Sequence, residues 1–227
     1  MDHSGLTRDV GEVASLAVSP PALPSLRAVP DGPLVRRAIP EPMVTVGDSD
    51  IACLSAYAQH GLPGATDTTL VRRQVAERLR AVVSSLPDGL AIAVFDAWRS
   101  PDLQAYLLDY ARSIGASEYV SPTSQDPHRP PPHLTGGAVD LTLTLHGEPL
   151  ALGTAFDDFT PAAHTAAFEG RSGNVRDYRR LLYWSMRAQG FVVHELEWWH
   201  FEYGTRRWAA LTGEEPRYGP WLPEAAT

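Results

Sequence analysis

The chain has 227 residues and a mass of 24.7 kDa, with 44% hydrophobic and 20% charged residues. This fits one large domain or two small ones at roughly 100 to 200 residues each and excludes wholesale disorder, since a chain this long buries close to ~70% of its unfolded surface. Lysine and arginine number 19 against 27 acids, a net charge of -8, which is the wrong sign for life on phosphate backbones or anionic lipid, so no nucleic acid or membrane partner is expected.

Met1 to Gly5 lacks a basic region, and Arg8, Asp9 and Glu12 interrupt any apolar run. No secretory signal is read here and a cytoplasmic, soluble protein is expected. Seven prolines fall between Pro20 and Pro42, each removing a backbone donor and fixing φ, so residues 1–45 read as an extended arm and 46–227 as a single domain. Val35, Ile39, Met43 and Val44 give that arm apolar side chains with which to dock.

From about Thr69 to Leu86, Leu70, Val71, Val75, Leu79, Val82 and Leu86 recur at helical steps with arginines on the other face, and Pro87-Asp88-Gly89 ends the helix. Leu90 to Phe95 reads as a short buried strand. Ser100 before Pro101 is an N-cap followed by proline at the first helical position, and Leu103, Tyr106, Leu107, Tyr110, Ala111 and Ile114 form the expected buried stripe up to Gly115. Five prolines between Pro122 and Pro132 make a loop. From Ala138 to Leu145, Val139, Leu141, Leu143 and Leu145 alternate with Asp140, Thr142 and Thr144, a strand whose polar set is expected to point away from the core. Asp177 to Gln189 reads as a helix with Gly190 at its end, and Phe191 to Val193 as a strand. Helices and strands mix without regular βαβ alternation, which favours an α+β domain.

Cys53 is the single cysteine, so no internal disulfide or thiolate cluster can form, and a metal must be held by histidine and carboxylate. Of eight histidines, His3, His60 and His146 sit in polar or turn-like surroundings and are expected to be solvated. His133 lies seven residues before Asp140 (140 − 133 = 7) with Gly136-Gly137 between them, letting the backbone fold tightly so that the two side chains converge. An imidazole and a carboxylate on one sheet edge suit zinc. Glu197-Trp198-Trp199-His200 places an acid and a histidine three apart, on opposite faces of a regular strand, so their convergence requires a bulge or a helical turn. With His200, the set becomes His133, Asp140 and His200, three ligands that leave a fourth position for water, and Glu197 is free to act as a base. A buried hydrogen-bonded cluster without metal fits the same spacing.

The stretch His133-Leu134-Thr135-Gly136-Gly137-Ala138-Val139-Asp140 resembles the motif Ser-x-His-x-x-Gly-x-Ala-x-Asp of the zinc D-alanyl-D-alanine dipeptidases, the VanX-like metallopeptidases, and Glu197-Trp198-Trp199-His200 resembles its Glu-x-x-His partner. Asp96-Ala97-Trp98-Arg99 is similar to the segment carrying that family's essential arginine, and Gly153-Thr154-Ala155-Phe156-Asp157 to the one carrying its substrate-binding aspartate. The motifs match in order and spacing from about Ile51 to Trp208. The resemblance implies a Hedgehog/DD-peptidase-like domain, with a central, mostly antiparallel sheet flanked by helices and the zinc site on the sheet. It also implies one Zn2+ per chain on His133, Asp140 and His200, Glu197 as general base and Arg99 as oxyanion partner. Asp157, Tyr57, Pro131 and Asp96 would then lie on the substrate side, and the substrate would be a small dipeptide such as D-Ala-D-Ala.

Pro131 stands where the family has serine, two residues before the first ligand, and supplies neither a hydroxyl nor a backbone donor. That departure favours a second reading, the same chemistry on another short peptide or amide, such as a cell-wall fragment or an intermediate of specialised metabolism. A third reading is a catalytically silent zinc module of the Hedgehog kind, against which Glu197 and Arg99 both argue. A Cys–His hydrolase on Cys53 is disfavoured by its apolar setting, Ile51-Ala52-Cys53-Leu54.

Overall fold

The computed structural model describes residues 2–17, 19–29 and 32–223; Met1 and, in the proline-rich arm, Pro30 lie outside them. The described elements run β1 (Arg8–Asp9), β2 (Met43–Thr45), β3 (Ile51–Cys53), α1 (Ala56–Gln59), β4 (Leu70–Arg72), α2 (Arg73–Ser85), β5 (Leu90–Asp96), α3 (Pro101–Ser113), β6 (Ala138–Leu145), β7 (Glu148–Ala151), α4 (Asn174–Ala188), β8 (Val192–His194), β9 (Glu197–Glu202) and α5 (Arg206–Thr212). Seven strands share one sheet in which β1, β7, β6, β5 and β3 are neighbours in that order and β9 joins β6 to β8; β2 and β4 form a separate pair. Within the large sheet only β1 with β7 and β3 with β5 are parallel, and the remaining pairings are antiparallel. This is the expected α+β architecture with a mostly antiparallel centre.

β6 organises the sheet. One edge pairs with β5, while the other is shared by β9 at Ala138 to Asp140 and β7 at Thr144 and Leu145. The alternation read from the sequence is present, with Val139, Leu141 and Leu143 in the core, but the second face is not solvent. Asp140, Thr142 and Thr144 are buried too, because a strand with partners on both edges and material over both faces has no exposed side. Thr142 satisfies its hydroxyl by donating to the Leu150 carbonyl at 2.6 Å.

The predicted helix from Thr69 begins later. Leu70 to Arg72 is instead strand β4, paired antiparallel with β2, since local apolar spacing cannot reveal a partner strand far away in sequence. Arg72, assigned to the solvent face by periodicity, is buried. Its guanidinium donates to the carbonyls of Thr135, Glu41 and Gly219. In α3, Ser100 caps the helix by accepting from the Leu103 amide at 3.1 Å, but the buried stripe is Leu103, Gln104, Leu107, Leu108 and Ala111, whereas Tyr106 and Ile114 are exposed. The observed set keeps the three- and four-residue steps of a helical face, and the aromatic and β-branched residues drawn into the predicted stripe lie beside it.

The proline-rich segment is extended and lies against the domain. β1 adds to β7, Val10 is fully buried, and Asn174 at the start of α4 donates to the carbonyls of Val10 (3.1 Å) and Val13 (2.7 Å). Farther along, Tyr178 donates to the Ala14 carbonyl and Trp184 to that of Pro21. An arm poor in internal hydrogen bonds is thus held by donors on α4 over its first half and by Arg206 and Arg72 farther along. Asn174→Ala removes two of these bonds, and at about 0.5 to 1.5 kcal/mol each a loss of about 1 to 3 kcal/mol is expected. Urea unfolding measures it, and limited proteolysis should cut the variant before residue 20 sooner than the parent protein.

Candidate active site

The site is assembled where β6, β9 and the turn preceding β6 meet. His133 opens a short 3-10 turn, His133–Thr135, that ends in Gly136 at φ 71. A side chain at Gly136 would be strained and would run into Met43, and one at Gly137 would meet the Tyr203 carbonyl at 2.6 Å. These two glycines therefore let the turn drop tightly onto the sheet. Arg72 holds the turn from behind, its amide donating to Gly136 and its side chain to Thr135.

Asp140 and His200 are directly paired residues of β6 and β9. His200 Nδ1 is 2.9 Å from Asp140 Oδ1 and 3.2 Å from His133 Nε2, and His133 Nε2 is 3.3 Å from Asp140 Oδ2. One donor atom from each of the three residues lies within 4.8 Å of the others, and all three side chains are buried. The required irregularity near Glu197 is also present. β8 pairs with β9 through a register shift, so that Val193 opposes Phe201 while His194 opposes Glu197. The extra residues on β9 swing Glu197 to the His200 side, with its Oε2 3.9 Å from His200 Nδ1.

The far nitrogens of both histidines are engaged. His133 Nδ1 is 2.6 Å from the Ala97 carbonyl, and His200 Nε2 is 3.0 Å from Glu202 Oε1. An acceptor at the far nitrogen fixes the tautomer and turns a lone pair toward the shared centre, the arrangement found around metal-ligating histidines. The donor set of two imidazoles and a carboxylate therefore fits a divalent transition metal. Charge points the same way. Burial works against an imidazolium at His200, yet the hydrogen bonds it donates to Asp140 and Glu202 outweigh it and push its pKa up to about 10. The carboxylates at this point thus favour a positive charge between them. Burial alone would raise the Asp140 carboxyl, but the two histidines hold it well below the usual carboxylate range.

Glu202 is not marked by any sequence motif, although its place two residues after His200 on one strand puts both on the same face. It is fully buried, accepts from the Thr205 hydroxyl and pairs with Arg207 Nε at 3.1 Å. Burial opposes its charge, and His200, Arg207 and Thr205 hold its pKa down to about 2.

Arg99 is buried and enclosed by acceptors, with Nη2 2.9 Å from Asp96 Oδ2 and 3.5 Å from Asp140 Oδ2, and Nη1 donating to Gln104 at 3.2 Å. Burial disfavours its charge, but Tyr57 and the surrounding carboxylates keep it firmly protonated. Asp96 thus braces Arg99 and also stands 3.6 Å from His133 Nδ1. Tyr57 is buried against the core and donates to Asp157 Oδ2 at 2.9 Å. Asp157 sits at φ 57, a left-handed conformation that a non-glycine residue holds only when its surroundings impose it. Burial lifts the Glu197 carboxyl to about 8.

One cavity of about 450 Å3 is lined by Tyr57, Arg99, Asp157 and Glu197 around the His133, Asp140 and His200 centre, with Trp199 on one wall and Ala28 and Val29 of the arm on another, whereas Asp96, expected on the substrate side, and Glu202 lie outside the lining. Pro132 is in the lining, but Pro131 is not. Pro131 is buried and faces an adjoining groove with Thr123, Ser124 and Arg206. Cys53 lies outside the cavity lining, with its thiol donating to the Val46 carbonyl at 3.0 Å and its pKa raised by burial.

The sequence profile of the peptidase family described as D-ala-D-ala dipeptidase matches residues 47–211, which takes in every residue of the centre just described. The chain belongs to that family. It is 28% identical over 176 residues to a D-alanyl-D-alanine dipeptidase from Synechocystis, covering 62% of this chain and 71% of the relative. It is 41% identical over 71 residues to one from Enterococcus faecium, covering 30% and 35% of the two chains. Membership makes the protein a hydrolase of the metallopeptidase type rather than a silent binding module, and implies a metal, which the His133, Asp140 and His200 cluster could hold. Among the described residues no helix is long and apolar enough to cross a membrane.

Glu202→Gln preserves shape while removing the charge that orients His200. Loss of such an outer partner typically costs 10- to 100-fold in metal affinity. Competition with a chromophoric chelator should show that drop while circular dichroism stays that of the parent.

Proposed function

We propose that the protein is a zinc-dependent dipeptidase that hydrolyses D-Ala-D-Ala or a related D-configured dipeptide, with one zinc per chain held by His133, Asp140 and His200. The observation that carries this reading is the convergence, in a single cavity, of the ligand cluster with Glu197, Arg99 and Asp157. Zinc there would act as a Lewis acid on the scissile carbonyl and lower the pKa of a water molecule toward ~7. Glu197 takes the attacking water's proton and hands it to the departing amine. Arg99, held charged by Asp96, donates to the oxyanion that develops on the carbonyl oxygen. Asp157, fixed by the Tyr57 hydroxyl, receives the substrate's free ammonium. An internal peptide unit has no ammonium at that position, so cleavage is confined to the bond that follows a free amino-terminal residue.

A second reading, a longer or bulkier peptide-like substrate, is favoured by size. The cavity of about 450 Å3 adjoins a groove of similar volume through Val29, Pro122, Pro132 and Arg207, and cavities in the range of about 300 to 1,000 Å3 accommodate drug-sized ligands. Pro131 lies in that groove, so the departure from the family's serine falls on the side where an extended substrate would run.

A kinetic screen of the zinc-loaded protein over alanyl-alanine in all four stereochemical combinations, together with one tripeptide of D-configuration, separates the two. The highest kcat/KM on the D,D dipeptide supports the first reading, and turnover of the tripeptide alone replaces it with the second. Glu197→Ala is expected to keep the zinc and lose at least ~100-fold in kcat, since general acid–base groups contribute about 10²- to 10⁴-fold. His200→Ala should lose most of the zinc by elemental analysis. Unchanged metal content in that variant would remove His200 from the ligand set.

A further inference from the structure

The sequence predicts a solvated surface imidazole at His3, and the structure contradicts this. His3 is 1% exposed, set edge-on to Tyr57 and His60 and tilted against Phe156 at ring-centroid separations of 5.8, 4.8 and 5.1 Å. Its polar sequence neighbours mislead because β1 pairs with β7 and draws the preceding residues onto the domain. Among the described residues neither ring nitrogen of His3 has a hydrogen-bond partner. A buried polar group without a partner destabilises the fold, so its retention calls for a physical cause. The polar atom it faces is Asp157 Oδ2, 3.6 Å from its Nε2, just beyond hydrogen-bonding range.

We propose that His3 is a positioning residue for Asp157, closing the amine subsite from behind with the first turn of the chain. The inference rests on the reading that Asp157 receives the substrate ammonium. Oδ2 already accepts from the Tyr57 hydroxyl, and a shift of a few tenths of an ångström brings the His3 N–H onto the same oxygen. Both protein donors then hold Oδ2, leaving Oδ1 for the ligand. Asp157 lines the cavity whereas His3 does not, so His3 acts through Asp157 and never touches substrate. Backbone bonds anchor the segment in this position. The His3 carbonyl accepts from the Leu6 amide at 3.1 Å, Arg8 and Asp9 pair with Leu150 and Ala151, and Asp9 caps the following turn through the Gly11 amide at 2.8 Å.

The test is steady-state kinetics on D-Ala-D-Ala and on propionyl-D-alanine, which lacks the ammonium, using the zinc-loaded full chain. His3→Phe fills the site without a donor, and His3→Leu serves if the larger ring prevents folding. His3→Gln restores a donor. The expected result for His3→Phe is a KM for D-Ala-D-Ala raised about 10-fold with kcat within about twofold, the pattern of a lost uniform binding interaction. His3→Gln should recover most of that loss, and neither variant should change KM for propionyl-D-alanine. In an Asp157→Asn background, His3→Phe should add nothing. An unchanged KM, an equal penalty on both substrates, or an undiminished effect in the Asp157→Asn background overturns the proposal. The parent reading fails separately: Asp157→Asn with an unaltered KM for D-Ala-D-Ala, or no turnover of that dipeptide by the wild type, removes the ammonium contact and the role of His3 with it.

Discussion

Asp140 and His200 face each other across the antiparallel pairing of β6 and β9, and the remainder of the site is arranged around that pair of backbone positions. The ladder fixes both residues without any demand on their side chains, so a carboxylate and an imidazole can be held in contact inside the protein by hydrogen bonds that belong to the sheet. β6 is suited to carry this load because β5 lies along one edge and β7 and β9 divide the other. A strand so placed cannot slip by one residue without turning Val139, Leu141 and Leu143 out of the core. The register that packs the aliphatic face is the register that aims Asp140 at His133 and His200.

Burying this many ionisable groups destabilises the fold unless each has a partner. The surroundings supply them in tiers. The Ala97 carbonyl and Glu202 set the tautomers of the two histidines, Thr205 and Arg207 in turn hold Glu202, and Asp96, Gln104 and Tyr57 enclose Arg99. A site organised this way is largely pre-formed, its charged side chains held in place by partners before any ligand arrives. The acidic balance of the site is also what makes a cation at its centre favourable.

The N-terminal arm belongs to this arrangement. Its prolines lower the entropy lost on ordering, and its orphan carbonyls find donors on α4. Ala28 and Val29 then form part of the cavity wall, and His3 reaches the back of Asp157. Part of the cavity wall and the surroundings of Asp157 therefore come from a segment that carries none of the family's motifs and precedes the region matched by the family profile.

The elements with strong local signals are legible in the residues alone: the capped helix after Ser100, the alternating strand from Ala138 to Leu145, the glycine pair that folds His133 toward Asp140, and the need for an irregularity between Glu197 and His200. Each follows from backbone sterics or periodicity over a few residues, which a sequence states directly. The motifs also name His133, Asp140 and His200, whose side chains the fold brings together. Which polar positions are buried is settled by the folded chain and by nothing local, because burial depends on what covers a face and not on the face's own pattern. Thus Asp140 and Thr142 lie inside although they alternate with the core residues, Arg72 leaves its helical periodicity to brace a loop, Glu202 becomes the partner of His200, and His3 reaches Asp157 across more than 150 residues of sequence.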